Sequence, residues 1–351
     1  MLIYIFLLGF ILLAGLFSVC HPRSSNFLLG VSVLLMTVVA GLRGSVGQDT
    51  WSYIYLYDEV FVGESSSLVF LKFEPLFSLV FIFSKFLGIS SQAFLFFVSV
   101  IQGVLLFNVS RRLRVPFVFL ILYFLGFYLQ FSFNVIRVGV ACLFFAMALL
   151  ERQLFKSVAY YVLAVLFHFS VIPFFFIFFL FGRWPKKHFF WMAGFLGIVA
   201  LAFFRNLISE KLHIYALESE ATEMSIYGLF LFFGLPVTYF ATSFFVGRVD
   251  RKVFFLFFVL LVLGVLRNYF DIAYRLYDIY SFLLLVSICW LYCFNDILKS
   301  PRVLSSFLIL FFLAVLRVSG VVGEAEAIND SITKARIDYT FIPYSVFWQD
   351  T

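Results

Sequence analysis

The sequence predicts an all-α fold, a polytopic integral membrane bundle of about ten to twelve transmembrane helices with one or two irregular or re-entrant segments. Three observations predict it. The 351 residues are 64% hydrophobic and only 13% charged, with 55 Phe, whereas soluble domains carry about 25% charge because charged side chains must cover their outside. The apolar residues gather into runs near the length of about 20 residues that crosses a hydrocarbon core of about 30 Å. Lys and Arg stand dispersed between those runs, so the net charge of +6 forms no patch or stripe and nucleic acid is excluded as a partner.

Residues 2–19 lack a basic n-region and a small-residue cleavage site, so they read as a first membrane helix and not as a removed signal peptide. The runs 27–42, 68–87, 93–109, 115–130, 131–150, 158–181, 189–204, 226–246, 253–266, 273–294 and 303–316 follow. The pieces around Pro75 and Pro173, and the run 253–266, are short for a full crossing and are expected to be tilted, broken or re-entrant. Between the runs lie two kinds of polar connection. Long stretches at 43–74, 205–225, 267–275 and 317–351 hold most of the acidic residues, while 21–23, 111–114, 152–156, 183–187, 248–252 and 299–302 are short and basic. The positive-inside rule places the short set in the cytoplasm and the long set outside. Strict alternation through twelve crossings fails between the 43–74 loop and Arg111, and again around 158–181. One non-crossing segment at each place restores consistency. With no repeat of fixed period and no separating linker, residues 1–351 read as a single membrane domain.

Several chemistries drop out. Cys20 and Cys142 are isolated, and Cys289 and Cys293 share a helix face with no His or Cys at metal-ligand spacing, so no metal is expected. Gly41, Gly44 and Gly47 match neither a dinucleotide fingerprint nor a P-loop. No cofactor is expected.

Ionisable groups within apolar runs are the informative residues, because an Arg or Asp at mid-bilayer costs about 2.5–3.5 kcal/mol even on the mildest scale. Four groups qualify. In the run from Arg43 to Tyr53, glycines permit a tight turn, and Asp49-Thr50 is placed to cap a short helix bearing Trp51, Tyr53, Tyr55 and Tyr57. This is either an interfacial aromatic belt or a site in which Asp49 accepts a proton and aromatic faces receive sugar rings. Asn134 and Arg137 stand one turn apart in an apolar run, where the guanidinium requires an anionic partner or a watery cavity, unless it snorkels to the interface. His168 and Ser170 precede Pro173, a helix breaker. Arg267, Asp271 and Arg275 follow at i, i+4 and i+8, a ladder that either compensates itself or leaves one Arg for an anionic headgroup. Glu74-Pro75 opens another apolar segment, and Glu210, Glu218, Glu220 and Glu223 read as a solvated face.

Taken in order, R-x-x-V-G-x-D-T-x-x-Y from Arg43 to Tyr53, Glu74-Pro75-Leu76-Phe77, Asn134-Val135-Ile136-Arg137 and His168-Phe169-Ser170 resemble the EpsG family. Val138 stands where Gln commonly follows the motif arginine. The family comprises Wzy-like membrane proteins of bacterial exopolysaccharide, capsule and O-antigen synthesis. The resemblance implies a glycosyltransferase of the inner membrane, working on undecaprenyl-diphosphate-linked oligosaccharide repeats at its outer face. It would transfer the growing glycan from the lipid diphosphate to a hydroxyl of the next repeat. A chain-length regulator is a partner implied by resemblance alone. Diphosphate leaves as a stable anion, so the need is for preorganised cations: Arg137 and Arg275, with Arg267 and Arg43 beside them. Asp49 or His168 is the base, Asp49 preferred; Gln48, Tyr53, Glu74, Asn134, Ser170 and Asp271 complete the expected substrate contacts. A flippase for lipid-linked sugars and a ligase to lipid A core are the alternatives. No related half-repeat of the kind common in transporters is visible.

Overall fold

The computed structural model describes residues 2–44, 46–47, 49–59, 73–180, 251–266 and 271–291. The expected loop 205–225, the tail 317–351, and the runs 189–204, 226–246 and 303–316 lie outside the described residues.

All regular structure among the described residues is helical. The chain forms α1 (Leu2–Cys20), a 3-10 turn (Pro22–Ser24), α2 (Ser25–Gly41), α3 (Thr50–Glu59), α4 (Pro75–Phe86), α5 (Ser91–Ser110) and α6 (Pro116–Tyr123). Helix α6 continues as two π-helical turns, Phe124–Tyr128 and Gln130–Asn134. Then come α7 (Ile136–Leu150), α8 (Leu154–Phe167), a 3-10 segment (Phe169–Phe175), α9 (Phe176–Leu180), α10 (Arg251–Leu266) and α11 (Asp271–Leu291). The stretches Leu2–Cys20, Pro22–Gly41 and Ser91–Ser110 are long and apolar enough to cross a membrane, and shorter apolar helices pack with them. This is a membrane protein.

Local chemistry sets the boundaries. Pro75 and Pro116 each occupy a first helical position, where their missing N–H removes no bond. Ser90 caps α5 by accepting from Ala93 N at 3.3 Å. Gly88, at φ +68°, ends α4 in a Schellman closure, with Gly88 N on Lys85 O (3.0 Å) and Ile89 N on Ser84 O (3.1 Å).

The contacts sort the helix ends into two sets. At one end Arg112 pairs with Glu151 at 3.1 Å, joining the α5–α6 and α7–α8 turns, and Arg114 Nη1 donates to Leu291 O at the end of α11 (3.1 Å). Gly15 of α1 packs on Phe117, and Gly30 of α2 faces Phe107, so the Pro22–Ser24 turn lies at this same basic end. At the opposite end Gln92 Nε2, in the first turn of α5, donates to Gly41 O (3.0 Å) and Arg43 O (2.7 Å). Helix α4 starts and finishes there. Its last turn is tied to α3 by Lys85 Nζ, which donates to Tyr57 O at 2.6 Å, and Ser91 Oγ donates to Asp58 at 3.3 Å. Arg111–Arg114 therefore share an end with Arg23 and Arg152.

Two boundaries differ from expectation. The sequence places a break between Gln130 and Phe131 and runs one helix from 131 to 150. In the structure the π winding carries straight through Gln130, and the break falls at Val135 (φ −84°, ψ 62°), so Asn134 and Arg137 stand on different helices. Gln130 is a polar residue inside the winding and not at its end, and its Oε1 accepts from Asn134 Nδ2 at 3.4 Å within the π turn. The expected run 158–181 divides at His168, and the chain doubles back, since Tyr161 OH donates to Ile172 O at 3.2 Å and the Tyr161 ring meets Phe178 edge-on.

Candidate active site

Four chain segments end at the polar end of the bundle, and each ending supplies one side chain. Glu74 is the extended residue before Pro75 (φ −68°, ψ 152°), a conformation the proline imposes. Arg137 is the second residue of α7, immediately past the break. His168 terminates α8 in an extended conformation (φ −163°, ψ 122°). Tyr53 lies one turn into α3.

These converge on Glu74, whose side chain is 1% exposed. Arg137 Nη1 reaches Glu74 Oε2 at 2.5 Å, and His168 Nδ1 stands 2.6 Å from Glu74 Oε1. The carboxylate thus holds a guanidinium on one oxygen and an imidazole on the other. Arg137 Nε donates to the Tyr53 phenol oxygen at 3.3 Å, and its guanidinium lies over the rings of Phe73 (4.7 Å) and Phe77 (5.7 Å). Two of its nitrogens are held and two neighbouring rings line the guanidinium, while Nη2 bonds to no described residue. On the far side of the imidazole, His168 Nε2 is 3.1 Å from Ser170 Oγ. With the carboxylate favouring the proton on the nearer nitrogen, Nδ1, the other nitrogen, Nε2, is the acceptor. Burial pushes the Tyr53 phenol up, with the Arg137 charge opposing, so the phenol keeps its proton while accepting from Arg137.

A second cluster lies directly behind. Arg43 is fully buried; it donates through Nη1 to Ala40 O (2.9 Å) and to Ser132 O, and through Nε to Thr50 Oγ1 (3.2 Å). Thr50 Oγ1 donates onward to Phe133 O at 2.8 Å.

The chain matches the model of the EpsG family over residues 26–345. It belongs to the EpsG family. No curated protein and no solved structure matches the chain.

Within this EpsG-family chain, Tyr53, Glu74, Arg137, His168 and Ser170 are brought into one connected group. Asp49 is half-buried, and its carbonyl accepts from Tyr53 N at 3.1 Å, which places it one helical turn from the group. Asn134 closes the π turn. Gln48 and Arg267 lie outside the described residues, and Asp271 and Arg275 occupy the first turns of α11 with their side chains outside them. Among the described residues no three His, Cys, Asp or Glu side chains form a metal-binding group. Sequence reading named Glu74 but missed its centrality, and it missed the Thr50 hydroxyl. The signal for Glu74 was its place directly before a proline at the mouth of an apolar segment, a carboxylate with a fixed backbone.

Proposed function

We propose that this EpsG-family protein is a Wzy-type polysaccharide polymerase, a single multi-pass domain of the bacterial inner membrane. It transfers a growing glycan from undecaprenyl diphosphate to a hydroxyl of the next lipid-linked repeat on the outer face. The observation that carries this reading is Glu74, buried and shared between Arg137 and His168. In a membrane protein, a charge cluster this costly to desolvate is kept where chemistry needs it.

Each group then has a role. The Glu74 carboxylate, 2.6 Å from His168 Nδ1, favours the proton on that nitrogen, so Nε2 takes the proton of the acceptor hydroxyl as its oxygen attacks the anomeric carbon. The bond between that carbon and the diphosphate oxygen breaks, and the diphosphate departs as an anion. Arg137, oriented by Glu74, Tyr53 and two rings, offers Nη2 to that developing charge. A preorganised donor of this kind is typically worth about 2.7–4 kcal/mol of barrier. Arg275, with Arg267 and Asp271 beside it, is the second cation. Geometry favours His168 over Asp49 as base, because His168 already has an orienting carboxylate on one nitrogen and a hydroxyl on the other. Placing the site on the outer face follows from the basic connectors at the opposite end of the bundle.

Deletion of the gene followed by gel separation of surface polysaccharide tests the reading. Loss of the length ladder with one-repeat material retained is the expected result. Loss of even the one-repeat band, with repeats accumulating on lipid carrier, would identify a flippase or ligase instead.

A further inference from the structure

We infer that Arg43 and Thr50 are positioning residues that close the open end of the π-helical turn Gln130–Asn134, and so fix where α7 begins and how Arg137 is presented. The inference deepens the polymerase reading and rests on it for its catalytic consequence, although the clamp itself is read from geometry.

Every helix ends with carbonyls that have no partner further along the chain, and a helix that stops inside a bundle must find donors for them. Here the helix stops at Asn134, and the last π-type bond runs from Val135 N to Gln130 O at 2.9 Å. The carbonyls of Ser132 and Phe133 lie beyond the ladder. Arg43 Nη1 meets the first and Thr50 Oγ1 the second, at 2.8 Å. The hydroxyl accepts from Arg43 Nε at 3.2 Å as it donates, so the two side chains act as one device. Nη1 also reaches Ala40 O at 2.9 Å, which anchors the device to the end of α2, and Phe133 lies under the guanidinium at 5.3 Å. The connecting turn is moulded to the same carbonyl. Gly47 has φ +106°, and a Cβ there would fall 2.8 Å from Phe133 O, so neither the conformation nor the space admits a side chain.

A cation that is 0% exposed, with N–H groups on backbone oxygens, cannot reach a diphosphate. Arg43 is therefore a clamp and not the headgroup ligand that its charge suggests in the sequence. What the clamp sets is decisive for the site. Val135 breaks the helix two residues after Phe133, and Arg137 follows two residues later. Thr50 also starts α3, and Tyr53 follows one turn on. The two partners that meet at 3.3 Å, Tyr53 and Arg137, are thus both registered from one point.

The test uses the full-length protein in lipid nanodiscs, with amide hydrogen exchange as the readout. Thr50→Val keeps the shape and removes the hydroxyl, Thr50→Ser restores it, and Arg43→Lys replaces the fork by a single ammonium. Exchange across residues 130–139 is expected to quicken about tenfold in Thr50→Val and Arg43→Lys, the factor for loss of one charge-assisted hydrogen bond. Exchange in α8 should be unchanged, and Thr50→Ser should behave as the parent. In a polymerisation assay the Thr50→Val variant should lose kcat at unchanged KM for the lipid-linked donor. Unchanged exchange at 130–139 in Thr50→Val, or a KM-only effect of Arg43→Lys, overturns the inference. If Arg43→Lys does not accumulate in the membrane, the two Thr50 variants decide alone. Exchange that responds as expected in a protein whose deletion leaves the polysaccharide ladder intact would uphold the clamp and discard the polymerase.

Discussion

Glu74 is compensated twice, so its removal leaves two groups without their anion. Losing one partner of a buried ion pair costs about 3–5 kcal/mol. Glu74→Gln should therefore lower Tm sharply and abolish elongation. Replacing the pair together, Glu74→Leu with Arg137→Met, removes the desolvation cost and should recover much of the lost Tm while elongation stays absent. That split between stability and activity is measured by thermal unfolding beside the polysaccharide ladder. Arg137→Lys should insert normally and yield one-repeat product only, because an ammonium cannot hold Glu74 and Tyr53 and still offer a donor in the same plane; a normal ladder would exclude Arg137 from the site. His168→Gln should do the same, while Asn in place of Asp49 should leave the ladder intact if His168 is the base. Arg137 and His168 were legible in the sequence because an ionisable group in an apolar run is expensive wherever the chain goes. Their shared partner was not, since Glu74 and Arg137 stand 63 residues apart and only tertiary packing joins them.

Among the elements, the π-wound end of α6 and the start of α7 are held at close quarters. A Cβ on Gly139 would fall 2.6 Å from both Gln102 Nε2 and Phe131 O, the donor and acceptor of a 3.1 Å bond. Gly139→Ala should cost about 1–3 kcal/mol by overpacking, read as a lower Tm. The other end of α7 carries a pH-dependent contact. Glu151 is partly desolvated, which opposes ionisation, but the N–H groups of Gln153 and Arg152 and the Arg112 guanidinium prevail and hold its carboxyl below the ordinary value of 4.5. A carboxyl lowered on folding stabilises above its unfolded pKa and loses that contribution as pH falls through the folded one. Glu151→Gln should thus unfold at lower Tm than the parent at neutral pH, and the two curves should converge in acid. Helix existence was readable from apolar runs, since burial and lipid both demand them. The break at Val135 was not, because π winding leaves no periodicity for composition to reveal, and a glutamine inside it looks like a boundary.

For the whole molecule, the short helix α4 resolves the alternation that the charges demanded. Because it begins and ends on the polar side, α5 delivers Arg111–Arg114 to the end that holds Arg23 and Arg152. Membrane-impermeant thiol labelling checks this arrangement. Native Cys20, which is exposed, and a cysteine introduced in place of Arg111 should label from one side of the membrane, and Tyr55→Cys from the other. Labelling of positions 111 and 55 from the same side would refute it. The charge pattern made the need for such a segment legible, and Pro75 at its start was visible too; which helices it packs between was a matter of three-dimensional contact.

The π turns also say something about heredity. An i→i+5 turn holds one more residue than the α-helix around it, so it is the mark an insertion leaves when the two flanks are both held fast. Here Phe282 packs on the Phe119, Tyr123, Phe127 and Phe131 rings, before and within the π turns, and Glu74 holds Arg137 beyond them. Deleting Leu129 would remove one surplus residue and let one of the two π turns relax toward ordinary winding with both flanks in place, whereas a residue gained or lost in ordinary α winding turns one flank by about 100° against the other. A length change in the α-helical flanks would leave either the aromatic seam or the arginine facing the wrong way, so the π turns are where this stretch can give up a residue.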